Sequence, residues 1–142
     1  MKLEARSQER IQSFFRLYYR ESDLVLPQIE LIGGLTGRAI TLFARASAMT
    51  LGKWIFLSPS GSKRVFDQLS RGRIEGLLIH EAAHVLQYRR QGIGSFLYSY
   101  LRSYFVALWR LRGLTAAARL EAYRAIPQEA EAFSVEMAFI EE

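Results

Sequence analysis

"LLIHEAAHVL", residues 77–86, holds both histidines of a 142-residue chain, four positions apart, with Glu81 directly after the first. On an α-helix, positions i and i+4 lie on one face, so His80 and His84 can each direct a nitrogen at a common point. Glu81 projects about 100° further round the axis, beside that point rather than on it. Two neutral imidazoles with an adjacent carboxylate are what a hydrolytic zinc requires. In that reading the imidazoles bind Zn²⁺, and Glu81 is the expected catalytic residue, a general base toward a metal-activated water. The competing reading is a buried helix whose two imidazoles bond separately to backbone.

The flanking residues bear on that choice. Leu77, Leu78, Ile79, Ala82, Val85 and Leu86 put apolar groups nearly all round this helix, which predicts a central, buried element. Unpaired polar groups buried there would each cost about 1–3 kcal/mol, and a charge more. One metal ion satisfies all of them. A catalytic zinc takes three protein ligands and keeps one position open. With no further histidine and no cysteine, the third ligand must be acidic. Asp23 and Asp67 precede the motif; Glu121, Glu129, Glu131, Glu136, Glu141 and Glu142 follow it. On the last expected helix Glu129 shares a face with Ala132, Phe133 and Ile140, whereas Glu131 projects with Ser134 and Ala138. Glu129 is therefore favoured as the metal ligand, Glu131 stays open as the alternative, and Glu136, two turns along, can at most support a ligand.

The rest of the chain sets the frame. Its length and its 50% hydrophobic composition suit one domain over 1–142. The absence of cysteine excludes a disulfide scaffold, a thiolate zinc site and a cysteine nucleophile. "MKLEARSQERIQ" lacks the apolar core of a signal peptide, so a cytoplasmic protein is expected, with export by another route left open. The net charge of +5 comes mostly from arginines at the ends of expected elements. That pattern fits solvated helix ends rather than a nucleic-acid-binding stripe.

Residues 5–20 read as an amphipathic helix carrying Ile11, Phe14, Phe15 and Tyr18. Between Leu24 and Pro59, "QIELIGG", "GRAITLFAR" and "KWIFLSP" read as strands of a small antiparallel sheet. "SPSGSKR" (58–64) and "GIG" (92–94) read as loops. Helices are expected from the low seventies to Gln91, over 95–112 with Gly113 as terminator, after Thr115, and from Pro127 onward. The apolar helix over 96–111 carries Leu97, Leu101, Tyr104, Leu108 and Leu111 on one face. Arg102 leaves too short an uncharged run for a span of roughly 20 residues. A core or groove helix is expected over one lying on a membrane, and peripheral membrane contact stays open. The predicted class is α+β, a small sheet followed by a helical layer that carries H-E-x-x-H.

These residues also carry a resemblance. "LIHEAAHVLQYRRQG" resembles the H-E-x-x-H-x-x-Q helix of small bacterial zincin-type domains, including the core domain associated with extracellular contractile injection systems. In those domains a strand with a "TLG..I" phrase precedes the helix, as "MTLGKWIFLSP" does here. "YRAIPQEAEAF" is similar to their P-x-E-x-E-A phrase and to the E-x-x-A-D phrase of the CAAX-prenyl-protease gluzincins. The resemblance spans roughly 48–133. It implies a zincin-like metallopeptidase with His80, His84 and Glu129 on zinc and Glu81 as base, acting on a peptide or protein. It also implies that "KWIFLSP" is an edge strand that receives substrate, and that Tyr123 is a candidate oxyanion donor. Phe133 stands where the gluzincin phrase has aspartate, so the usual carboxylate behind a ligand is missing. The alternative is a catalytically inactive zinc-binding module of the same fold, serving interaction with a partner protein or cargo.

Overall fold

The computed structural model describes residues 1–112 and 115–141, so the terminator expected at Gly113 and the candidate Glu142 lie outside the described residues. Among these the order is α1 (Ala5–Tyr19), β1 (Glu30–Ile32), α2 (Gly34–Ala44), β2 (Ala48–Leu51), β3 (Trp54–Leu57), α3 (Pro59–Ser70), α4 (Gly76–Gln91), α5 (Ile93–Leu111), α6 (Ala116–Arg124) and α7 (Pro127–Ile140). The architecture is α+β, mostly helical with one small sheet.

α4 is the central element. Every residue from Leu78 to Tyr88 is buried, as its all-round apolar surface requires. Its start is fixed by Glu75, whose carboxylate accepts from the Leu77 N–H at 2.6 Å. Its end is set by Gly92 at φ 79°, a conformation that suits glycine. α1 contributes Ile11, Phe14 and Phe15 to the same core, with Phe14 edge-on to Phe139 of α7 at 5.1 Å between centroids.

The sheet is mixed rather than antiparallel. Its order is β1-β3-β2, with β1 parallel to β3 and β2 antiparallel to it. The reason is that "GRAITLFAR" is not a strand but most of α2, which carries the chain across the sheet before β2 begins. Its β-branched and aromatic residues resemble a strand locally, yet packing overrides that propensity. A Cβ at Gly37 would overlap the carbonyls of Ile32 and Leu57, so α2 crosses the sheet backbone at a glycine. Thr41 is buried one turn on, and its hydroxyl donates back to the Gly37 carbonyl at 2.7 Å.

Residues 58–64, expected as a loop, open α3. Ser58 accepts from the Gly61 N–H at 3.0 Å and Pro59 occupies the first helical position, so the same residues that punctuate loops here start a helix. In the "GIG" stretch only Gly92 stays outside a helix; Ile93 and Gly94 belong to α5.

The "KWIFLSP" segment corresponds to β3, which is central, so its backbone is committed on both sides. Residues 1–3 cover the outer side of β1 through Leu3 N–H to Ile29 O and Leu31 N–H to Met1 O. The remaining edge is β2. Ser58 N–H donates to Ser47 O at 3.0 Å, which makes Ala48–Leu57 and Thr50–Ile55 the non-hydrogen-bonded pairs of the ladder. The N–H and C=O groups of Ala48 and Thr50 therefore point away from β3.

α5 is not a core helix. Phe96 is its one fully buried residue, Leu97, Tyr104 and Leu108 are half-buried, and Leu101 and Leu111 are exposed. No described helix is long and apolar enough to cross a membrane.

Candidate metal centre

α4 and α7 pack side by side, and their contact brings His80, His84 and Glu129 together. One ligand atom from each lies within 4.8 Å of the other two. His80 Nε2 is 3.0 Å from Glu129 Oε2, and His84 Nε2 is 3.1 Å from Glu129 Oε1. Nitrogen and oxygen ligands about 2.0–2.1 Å from a zinc ion in tetrahedral array stand about 3.3 Å apart, close to these separations. All three residues are at most 5% exposed.

Hydrogen bonding behind the imidazoles fixes how they face the cluster. The Gln87 NH₂ group donates to Gln128 O at 3.0 Å and to Glu131 Oε2 at 3.2 Å, which orients its carbonyl toward His84. His84 Nδ1–H therefore donates to Gln87 Oε1, at 2.8 Å. His80 Nδ1 faces Glu136 Oε2 at 3.2 Å, and a carboxylate can only accept. With both Nδ1 atoms protonated, both Nε2 lone pairs point at an anionic carboxylate. That arrangement is repulsive unless a second proton or a metal cation lies between. The donor set thus fits a metal ion, and its orienting shell is complete.

The acidic candidates now separate. Glu129 is in the cluster. Glu131 is not: it accepts from Gln87 and from the Tyr19 hydroxyl at 2.5 Å, and so holds His84 in place at one remove. Glu136 supplies the carboxylate behind His80, a role the residue at 133 leaves unfilled. Phe133 instead packs edge-on to the His80 ring at 4.6 Å. Gly76 gives Glu136 room, since a Cβ there would come within 3.0 Å of Glu136 Oε1.

Glu81 lies outside the ligand set, as its place on the helix requires. The hydroxyl of Thr50 on β2 donates to Glu81 Oε2 at 2.6 Å, tying the carboxylate to the open edge of the sheet. Two further groups surround the cluster. The Tyr100 hydroxyl of α5 donates to Glu129 Oε1 at 2.9 Å. Tyr123 of α6 has its pKa raised by burial and by the nearby Glu129, so it keeps its proton far above neutral pH. Thr50 sits in the "TLG" phrase and Gln87 in the H-x-x-Q phrase, so their types were visible in sequence although their contacts were not. Nothing local marked Tyr100 among seven tyrosines.

The electrostatics follow from this crowding of carboxylates. Burial alone would depress the His84 pKa, but its hydrogen bond to Glu129 and the nearby Glu81 outweigh that and push it up to about 9. Burial raises Glu129, but the two imidazoles outweigh it and hold its pKa below the usual carboxylate range. At neutral pH the metal-free site therefore carries a proton on His84 that a metal must displace. Metal binding at pH 7 is expected to release about one proton. Apparent affinity should rise with pH up to about 9 and level off above it. Calorimetry in buffers of different ionisation enthalpy measures this; a pH-independent affinity between 6 and about 9 contradicts the assigned protonation.

A comparison with protein-family models, curated proteins and solved structures finds no match to this chain.

Proposed function

We propose that the protein is a zinc-dependent metallopeptidase of zincin type that cleaves an extended peptide segment aligned along β2. The reading rests on one observation: a buried His80–His84–Glu129 cluster whose imidazoles are held with both Nε2 lone pairs inward, next to a carboxylate on the same helix. Zinc is the metal of choice for two imidazoles and one carboxylate with a position left open. Bound there, it would polarise a carbonyl and bring the pKa of a water to about 7.

The chain's own residues do the rest. Thr50 holds Oε2 of Glu81, so Oε1 is the atom that takes a proton from water and passes it to the leaving amine. The outward N–H and C=O groups of Ala48 and Thr50 can pair with substrate backbone by strand addition, so β2 rather than β3 would serve as the edge that receives substrate. Tyr123, held protonated, is suited to donate to a developing oxyanion.

The direct test is to incubate zinc-loaded and chelated protein with an unfolded protein and identify new termini by mass spectrometry. New termini from the zinc-loaded form alone are expected. Zinc bound at one equivalent without cleavage of any substrate leaves the second reading, a zinc-stabilised interaction module.

A further inference from the structure

We propose that the exposed face of α5 docks on an anionic lipid surface. Over its 19 residues α5 buries only Phe96 completely. Tyr98, Leu101, Phe105 and Trp109 fall within an arc of about 80° on the helix. They are 70%, 50%, 61% and 84% exposed, a continuous apolar ridge facing solvent. Arg102 flanks the ridge and Arg112 closes its C-terminal end; both are exposed. Neither makes an ion pair among the described residues.

The charge of the stretch that carries the ridge is one-sided. Residues 82–120 contain six arginines and no aspartate or glutamate. A second copy of the chain is a poor occupant for this ridge, because the stretch that carries it has arginines and no acidic residue to pair with those of another copy. A protein partner of helical shape needs a groove, and here the surface is a ridge. The concavity beside α5 lies on another flank, lined by Val106, Arg110, Leu111 and Glu121. A bilayer surface matches both properties. Tyrosine and tryptophan settle at the headgroup level, the leucine and phenylalanine enter the acyl boundary, and the arginines reach anionic headgroups. The helix is about 28 Å long and would lie in the plane of the surface.

The opposite face of α5 touches the metal cluster. Phe96 lies 6.0 Å from the His84 ring centroid, and Tyr100 donates to Glu129. Docking would therefore hold the cluster about one helix diameter, roughly 10 Å, above the lipid. This inference stands on the ridge and the charge alone, independently of whether the cluster hydrolyses peptides.

The test uses the full chain in a Trp54→Phe background, so that Trp109 is the sole tryptophan reporter. It is mixed with phosphatidylcholine vesicles, or with vesicles in which about a third of the lipid is phosphatidylglycerol. Sedimentation with the anionic vesicles and a blue shift of Trp109 emission are expected, weakening as salt is raised. Phe105→Ala with Leu101→Ala, and separately Arg102→Gln with Arg112→Gln, should each lower partitioning about 10-fold or more while the thermal midpoint stays unchanged. Equal partitioning onto uncharged vesicles overturns the charge argument. An unmoved Trp109 emission on anionic vesicles, or a dimer in solution that Phe105→Ala dissolves, overturns the proposal as a whole.

Discussion

Glu81→Gln is expected to lower peptide cleavage by about 10²–10⁴-fold while one equivalent of zinc stays bound. The substitution is nearly isosteric, and the amide oxygen can still accept from the Thr50 hydroxyl that now holds Oε2 at 2.6 Å. What it removes is the ability to take a proton and give it back. Glu81 contributes no atom to the His80–His84–Glu129 set, so metal content should be insensitive to the change. Thr50→Val provides a graded companion, leaving the carboxylate chemically intact but loosely held; a several-fold fall in kcat with unchanged zinc is expected. Cleavage by the glutamine variant at the native rate would end the general-base assignment. Loss of zinc from it would show that Glu81 belongs to the ligand set instead.

Glu129→Ala should reduce zinc affinity by more than about 100-fold, since removing an orienting partner alone commonly costs about 10–100-fold and this removes a ligand. The effect also reads out in stability. A ligand that binds only the folded state stabilises it by about 4 kcal/mol at a thousand times its Kd. The native protein should therefore show a marked rise in thermal midpoint on adding zinc and a fall on chelation, and the variant neither. Glu131→Ala separates the two acidic candidates: it removes the support of Gln87 and weakens binding without abolishing it. Equal zinc content in native protein and Glu129→Ala contradicts the ligand assignment.

The metal cluster was more legible than the sheet, for a physical reason. Residues on helices obey fixed angular rules, so spacing alone sets His80 and His84 on one face at i and i+4 and favours Glu129 over Glu131, with Glu131 left open, once α4 and α7 are taken as helical. Glu136 followed by the same rule, two turns from Glu129. Pairing order in a sheet obeys no such local rule. Ile55 and Leu57 announce that β3 has a buried face, and nothing in "KWIFLSP" says whether one or two strands flank it. α2 was hidden because its helix is fixed from outside, by the backbone that Gly37 must cross. The contact of Thr50 with Glu81, across 31 residues, exists only once β2 has been laid beside α4. Tyr100 reaches Glu129 across 29 residues for a similar reason.

The bonds running from Tyr19 to Glu131 to Gln87 to His84 join the end of the first helix to Nδ1, the outward-facing nitrogen of a candidate ligand. Arg90 adds a clasp, lying 4.7 Å from the Tyr19 ring centroid and pairing with Glu21 at 2.9 Å. Fraying of α1 at Tyr19 would therefore loosen Glu131 and one of the two bonds that orient Gln87, and so weaken the hold on the His84 ring. Because coupling is reciprocal, a metal that selects the oriented ring must also resist that fraying. Amide exchange in the last turn of α1 should slow when zinc is added, far from any atom the metal touches.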